Sequence, residues 1–140
     1  MDEDRLNRLL TEIEDLNKKA EDLLSIPLEN FLRDFKAIYA LKMILVEMTE
    51  IILSIGLLIL REGFKIREIE GYVWILRELV KRGVLSNEIG ENLEALVRLR
   101  NMIIHRYWEV DERRLYRESK ESIGLIKKFI EEVKNYASKD

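Results

Sequence analysis

The 140-residue chain has no cysteine, no glutamine, one histidine, one proline and six glycines. Without cysteine, disulfides and thiolate metal sites are excluded. A single imidazole also argues against a histidine-based zinc site within one chain, and no metal or other cofactor is expected. Scarce proline and glycine leave long stretches free of helix breakers. What fills them is Leu, Ile, Glu, Lys and Arg. Hydrophobic residues make up 47% and charged residues 36% of the chain, the composition of an all-α protein. The lack of Cys and Gln among so many opposite charges leans toward a heat-adapted source. The length suits one domain, residues 1–140, with a core that needs no covalent staples. The acidic start, Met1-Asp2-Glu3-Asp4-Arg5, lacks the apolar region of a secretory signal, so a cytoplasmic location is expected.

Charge is unevenly distributed along the chain. The net charge of −3 argues against a protein that coats nucleic acid through bulk electrostatics. Between Arg98 and Lys120, however, seven Lys/Arg stand against four Asp/Glu, which makes that segment +3 and the remainder −6. Contact with a polyanion should centre there.

Apolar periodicity predicts about five helices in a bundle. The first runs from about Asp4 to Leu24 as a narrow apolar stripe, and Ser25-Ile26-Pro27 ends it, because Pro27 disfavours helical geometry in the residue before it. The second runs from about Leu28 to Leu60. Its first half places Phe31, Leu32, Phe35, Ile38 and Tyr39 on one side, and its second half, from Met43, is apolar nearly all round. Although long enough to graze a membrane span, that half contains Glu47 and Glu50, each costing ~2.5–3.5 kcal/mol at a bilayer centre. A helix covered on several sides, including by a second subunit, is the better reading, with no membrane involved. Arg61-Glu62-Gly63 marks a break, and a third helix spans about Ile69 to Lys81 with Tyr72, Val73, Ile75, Leu76, Leu79 and Val80 inward. Lys81-Arg82-Gly83 stops it. Ser86 caps a fourth helix that reaches His105 or Tyr107, and Asp111 caps a fifth that runs to about Tyr136.

The fourth helix carries the unusual residues. With Ile89 at zero on a helical wheel, Leu93, Leu96, Val97, Ile103 and Ile104 fall within about 80° of it, and Arg100 at about 20°. An arginine in the middle of an apolar arc must meet a carboxylate, line a cleft or face another subunit. Asn101 and His105, at about 120° and 160°, flank that arc, and Arg98, at about 180°, extends the flank. Imidazole, with a reference pKa near ~6.5, exchanges protons at neutral pH. Guanidinium holds phosphate and stabilises charge developing on it. Together they meet the needs of RNA phosphodiester cleavage: deprotonating a 2′-hydroxyl, stabilising a phosphorane and protonating the leaving oxygen. One histidine cannot easily be acid and base at once, whereas two copies in a homodimer could supply both. The same residues have plainer readings. His105 can be a helix-end cap, Arg100 half of an ion pair, and Tyr107 and Trp108 packing at a helix end.

The stretch Arg100-Asn101-Met102-Ile103-Ile104-His105-Arg106-Tyr107, followed by Val110-Asp111, fits the pattern R-N-x-x-[VI]-H-x-Y-x-x-[IV]-D. It resembles the HEPN superfamily, specifically the HepT toxins of HEPN/MNT toxin–antitoxin pairs. Upstream, Ile75-Leu76-Arg77-Glu78-Leu79 and Arg82-Gly83-Val84-Leu85 are similar to that family's third helix and its turn into the motif helix. The resemblance implies a metal-independent endoribonuclease toxin of a type VII pair, homodimeric, with a shared cleft. Arg100 and His105 would be the catalytic pair, and Asn101, Arg98 and Arg106 would position substrate. Tyr107 matches the tyrosine that an MNT-type nucleotidyltransferase antitoxin modifies with AMP. The alternative within the same family is a non-catalytic nucleotide-binding accessory to such a nucleotidyltransferase.

Overall fold

The computed structural model describes residues 1–139. Helix α1, Glu3–Leu24, starts where the Asp2 carboxylate accepts the Arg5 N–H at 3.0 Å, satisfying one of the donors that a helix start leaves open. It ends before Pro27, as its sequence predicts. Its buried stripe, Leu6, Leu10, Ile13, Leu16, Ala20 and Leu24, packs on the helices Phe35–Leu58 (α3) and Glu112–Ser138 (α6).

The expected second helix is two helices. Helix α2, Leu28–Leu32, is one turn, closed by the Arg33 N–H on the Asn30 carbonyl and the Asp34 N–H on that of Phe31. Helix α3, Phe35–Leu58, then restarts with the Asp34 carboxylate accepting the Ala37 N–H. This break rotates the stripe. Phe31 is fully buried against Tyr116, whose hydroxyl lies 2.6 Å from the Ile26 carbonyl. Ile38 is buried too, but Phe35 and Tyr39 are 64% and 65% exposed, contrary to a common inward side. The run ends in a π-helical turn, Ile59–Gly63.

Length and apolarity would let 35–63 cross a membrane, but 56% of its most apolar window is buried in the bundle. Among the described residues, α3 is the central element, contacted by α1, α2 and the helices Tyr72–Lys81 (α4) and Asn87–His105 (α5). Residues 64–71 return irregularly to α4, Tyr72–Lys81. Its start lies three residues later than its apolar pattern predicts, because Gly71 has φ of 127°, a conformation that stops the helix from extending back. Tyr72 is 43% exposed instead of inward, and Val73 and Val80 are only half-buried. At the other end Gly83, with φ of 79°, takes the left-handed C′ position, and the Val84 N–H returns to the Leu79 carbonyl at 2.9 Å.

Helices α3 and α4 meet at Gly56. A β-carbon there would sit 2.7 Å from Ile75 Cγ2 and 3.2 Å from Leu79 Cδ1, both on α4. Gly56→Leu should therefore lower unfolding free energy by ~1–3 kcal/mol through overpacking, measured as a shift in urea midpoint.

Candidate functional site

Helix α5, Asn87–His105, begins at Ser86, whose hydroxyl accepts the Ile89 N–H. Ile89, Leu93, Leu96, Val97 and Leu99 are buried, so the helix axis is fixed against α3, α4 and α6. The α-helix stops at His105 because Arg106 leaves helical geometry, with φ −139° and ψ 46°. A 3-10 turn, Tyr107–Glu109, follows, and Asp111 caps α6, Glu112–Ser138, by accepting from the Arg113 and Arg114 N–H groups. Arg113 also donates to Glu29 in the first turn of α2, at 2.9 Å. That hydrogen bond, with the guanidinium charge, holds the Glu29 carboxyl below its ordinary range and raises Arg113. The segment from Arg100 to Asp111 thus runs from a buried helix through an exposed turn anchored at both ends.

Arg100 has the carboxylate that its place in an apolar arc requires. Its Nη2 donates to Glu50 of α3, its Nη1 donates to Asn101 Oδ1 at 3.0 Å, and its guanidinium lies 5.6 Å from the centre of the Tyr72 ring. The Arg100 side chain is 13% exposed and that of Glu50 is 47% exposed. Three elements therefore set the arginine: a carboxylate from α3, an aromatic face from α4 and an amide from its own helix. Arg100 Nε is buried without an acceptor, so of the two faces of the fork only the Nη pair is hydrogen-bonded, to Glu50 and Asn101.

His105 is exposed at the last helical position, with no hydrogen bond to its ring among the described residues. It stands five residues from Arg100, about 7.5 Å along the axis and about 140° around it. The two side chains consequently emerge on different sides of α5. Arg98 is exposed, and Arg106 is exposed 3.7 Å from Glu109. Of the expected site residues, the fold joins Arg100 and Asn101 directly and leaves Arg98, His105, Arg106 and Tyr107 on the surface. Among the described residues, no three His, Asp or Glu side chains converge to hold a metal ion.

Tyr107 and Trp108 are 68% and 67% exposed and meet edge to face at 5.2 Å. They border a groove of about 640 Å³, whose far wall is Tyr39, Met43 and Val46 of α3. Tyr39, Met43, Ile104, Tyr107 and Trp108 are all exposed large hydrophobics, a concentration unusual on a surface with no partner. For Arg100 the sequence allowed a carboxylate partner without singling out Glu50, and it missed Tyr72 as a neighbour. Glu50 was visible only as a charge interrupting an apolar run, and Tyr72 only as one of an inward set.

A family profile described as ribonuclease HepT-like matches residues 10–133. No curated protein matches the chain significantly by sequence. Among solved structures, the chain is similar to a cytosolic protein of unknown function, YutE from Bacillus subtilis, at 23% identity and TM-score 0.80, over 97% of this chain and 90% of that one. It is also similar to a tri-AMPylated HEPN toxin of Shewanella oneidensis solved in complex with an MNT antitoxin, at 18% identity and TM-score 0.84, over 93% and 96% of the two chains. A third likeness is to a toxin–antitoxin structure with AMP-PNP, at 16% identity and TM-score 0.82, over 91% and 96%. At these identities the likeness is one of fold. The profile spans nearly the whole chain, and on that ground the protein belongs to the ribonuclease HepT-like family of the HEPN superfamily.

Proposed function

We propose that this protein is a metal-independent endoribonuclease toxin, active as a cytoplasmic homodimer and controlled by an MNT-type nucleotidyltransferase antitoxin. The carrying observation is Arg100: a guanidinium set by Glu50, Asn101 and Tyr72, five residues before an exposed imidazole. In this reading an imidazole takes the proton of the RNA 2′-hydroxyl as its oxygen attacks the adjacent phosphorus. Arg100 stabilises the phosphorane, and the 5′-oxygen leaves with a proton from a second acid. The products are a 2′,3′-cyclic phosphate and a free 5′-hydroxyl. Because Arg100 and His105 diverge around α5, a cleft shared by two copies would let one chain's guanidinium and two imidazoles face one phosphate. The exposed apolar surface of Tyr39, Met43, Ile104, Tyr107 and Trp108 supports such an association.

Tyr107 is the proposed point of control. Its ring is open to a partner enzyme, and transfer of AMP from ATP to its hydroxyl, with pyrophosphate leaving, would place negative charge and bulk near the site, where RNA should lie. The Shewanella oneidensis HEPN toxin in its AMPylated complex, which shares this fold, supports the reading. The accessory alternative has one observation in its favour: Glu50 already neutralises Arg100.

Expression in bacteria separates the two. The toxin reading predicts that the chain alone arrests growth, that a co-expressed MNT-type nucleotidyltransferase relieves the arrest, and that the relieved protein gains mass in AMP units. Tyr107→Phe should lose that added mass. Normal growth with the chain alone would favour the accessory.

A further inference from the structure

Three irregularities coincide at the far end of α3. Its last turn, Ile59–Gly63, is π-helical, a geometry that is rare and frequent at functional sites. Just beyond it Lys65 has φ of 58°, a left-handed conformation that a β-carbon disfavours and that concentrates where a site is built. Around it Arg61, Lys65 and Arg67 line a hollow of about 340 Å³, and the remaining lining residue is Ile66.

These cations lack counter-ions. All three are exposed, and none is in an ion pair among the described residues. Glu62, the acid closest to Arg61 in sequence, is engaged elsewhere, accepting the Asp2 N–H at 2.7 Å. Glu68 and Glu70 are on the same segment but do not line the hollow. Like charges gathered around one concavity repel one another and favour an anion there. Arginine and lysine donors facing a hollow are suited to phosphate oxygens.

The hollow is also connected to the candidate site by two routes. Arg61 follows Glu50, the partner of Arg100, by eleven residues along the continuous run of α3 and its π-helical turn. The segment 64–71 leads back to Tyr72, whose ring faces the Arg100 guanidinium.

We propose that Arg61, Lys65 and Arg67 form a phosphate-binding subsite that holds the RNA backbone several nucleotides from the reacting phosphodiester. The proposal rests on the ribonuclease reading for the identity of its ligand. Contacts of this kind hold and align a strand without reading its sequence. They would also let an acidic protein bind RNA along one confined track.

The test uses the wild-type protein and 2′-O-methyl RNA, which lacks the attacking hydroxyl and stays intact. Binding of a 3-mer and a 20-mer is followed by fluorescence anisotropy across a salt series. The triple variant Arg61→Ala, Lys65→Ala, Arg67→Ala should bind the 20-mer at least about tenfold more weakly. Its slope of log K against log salt should flatten by about 2, at ~0.7 per single-strand phosphate. The 3-mer should change less than about twofold, since it is too short to reach both places. The pair Arg61→Glu and Arg67→Glu should weaken the 20-mer further with unchanged circular dichroism. Unchanged 20-mer affinity and slope would overturn the subsite, as would equal losses for both lengths. Displacement of neither RNA by inorganic phosphate, combined with phosphate-induced stabilisation lost in the triple variant, would assign the hollow to a free anion and overturn the RNA assignment. Wild-type binding with the expected length dependence, but no cleavage of unmodified RNA, would keep the subsite while rejecting the ribonuclease reading.

Discussion

His105→Ala should lower RNA cleavage by ~10²–10⁴-fold, the usual worth of a positioned general acid or base, while leaving the protein folded. The structural half of this expectation follows from where the residue stands. His105 is exposed at the end of α5 and makes no side-chain hydrogen bond among the described residues. The helix end is closed by backbone, with the Arg106 N–H donating to the Met102 carbonyl at 2.9 Å. Losing the imidazole removes no packing and no cap, so stability should stay within about 0.5 kcal/mol of wild type. A histidine acting as a structural helix-end group would give the opposite pairing: activity retained and a lower melting temperature. Cleavage measured by gel alongside thermal unfolding separates them.

Arg100→Ala should cost ~10²–10³-fold in rate, as when a donor to developing charge is removed, but this residue also has a structural job. A fully buried ion pair broken from one side loses ~3–5 kcal/mol. Here Glu50 is 47% exposed and can hydrate once its partner is gone, so the pair should contribute ~1 kcal/mol or less. The contact with Tyr72 adds ~0.5–1 kcal/mol, giving a loss of roughly 1–2 kcal/mol in all. A double-mutant cycle with Glu50→Gln isolates the pair term. A loss of 3 kcal/mol or more, with activity unaffected, would make Arg100 purely structural.

Elements with chemical punctuation were legible from the sequence alone. Ser86 and Asp111 cap their helices as expected, and Gly83 supplies the left-handed stop after Lys81-Arg82. The apolar periodicity of α1 and α6 needed no tertiary context, because each has one charged face in water. The break at Asp34 was hidden: apolar residues continue on both sides of it, and the α2 turn exists because Phe31 is drawn beneath Tyr116, 85 residues away in sequence. The same non-local packing decided Phe35 and Tyr39, which a continuous helix would have turned inward. In the candidate site, the need of Arg100 for an acid, a cleft or a subunit followed from elementary cost, whereas the choice of Glu50 depended on the packing of α3 against α5. That the two main candidates point to different sides of α5 was already implicit in their five-residue spacing. The exposed groove beside Tyr107 became visible only once α3 was placed against the 3-10 turn.

Cleavage of RNA by an arginine and a histidine, without metal, can be measured on purified protein incubated with RNA in EDTA, with fragment ends resolved chemically. Cleavage should proceed unchanged in EDTA, leave 2′,3′-cyclic phosphate and 5′-hydroxyl ends, and be lost in Arg100→Ala and His105→Ala. Undiminished cleavage in both variants, or activity abolished by EDTA and restored by a divalent cation, would contradict this mechanism.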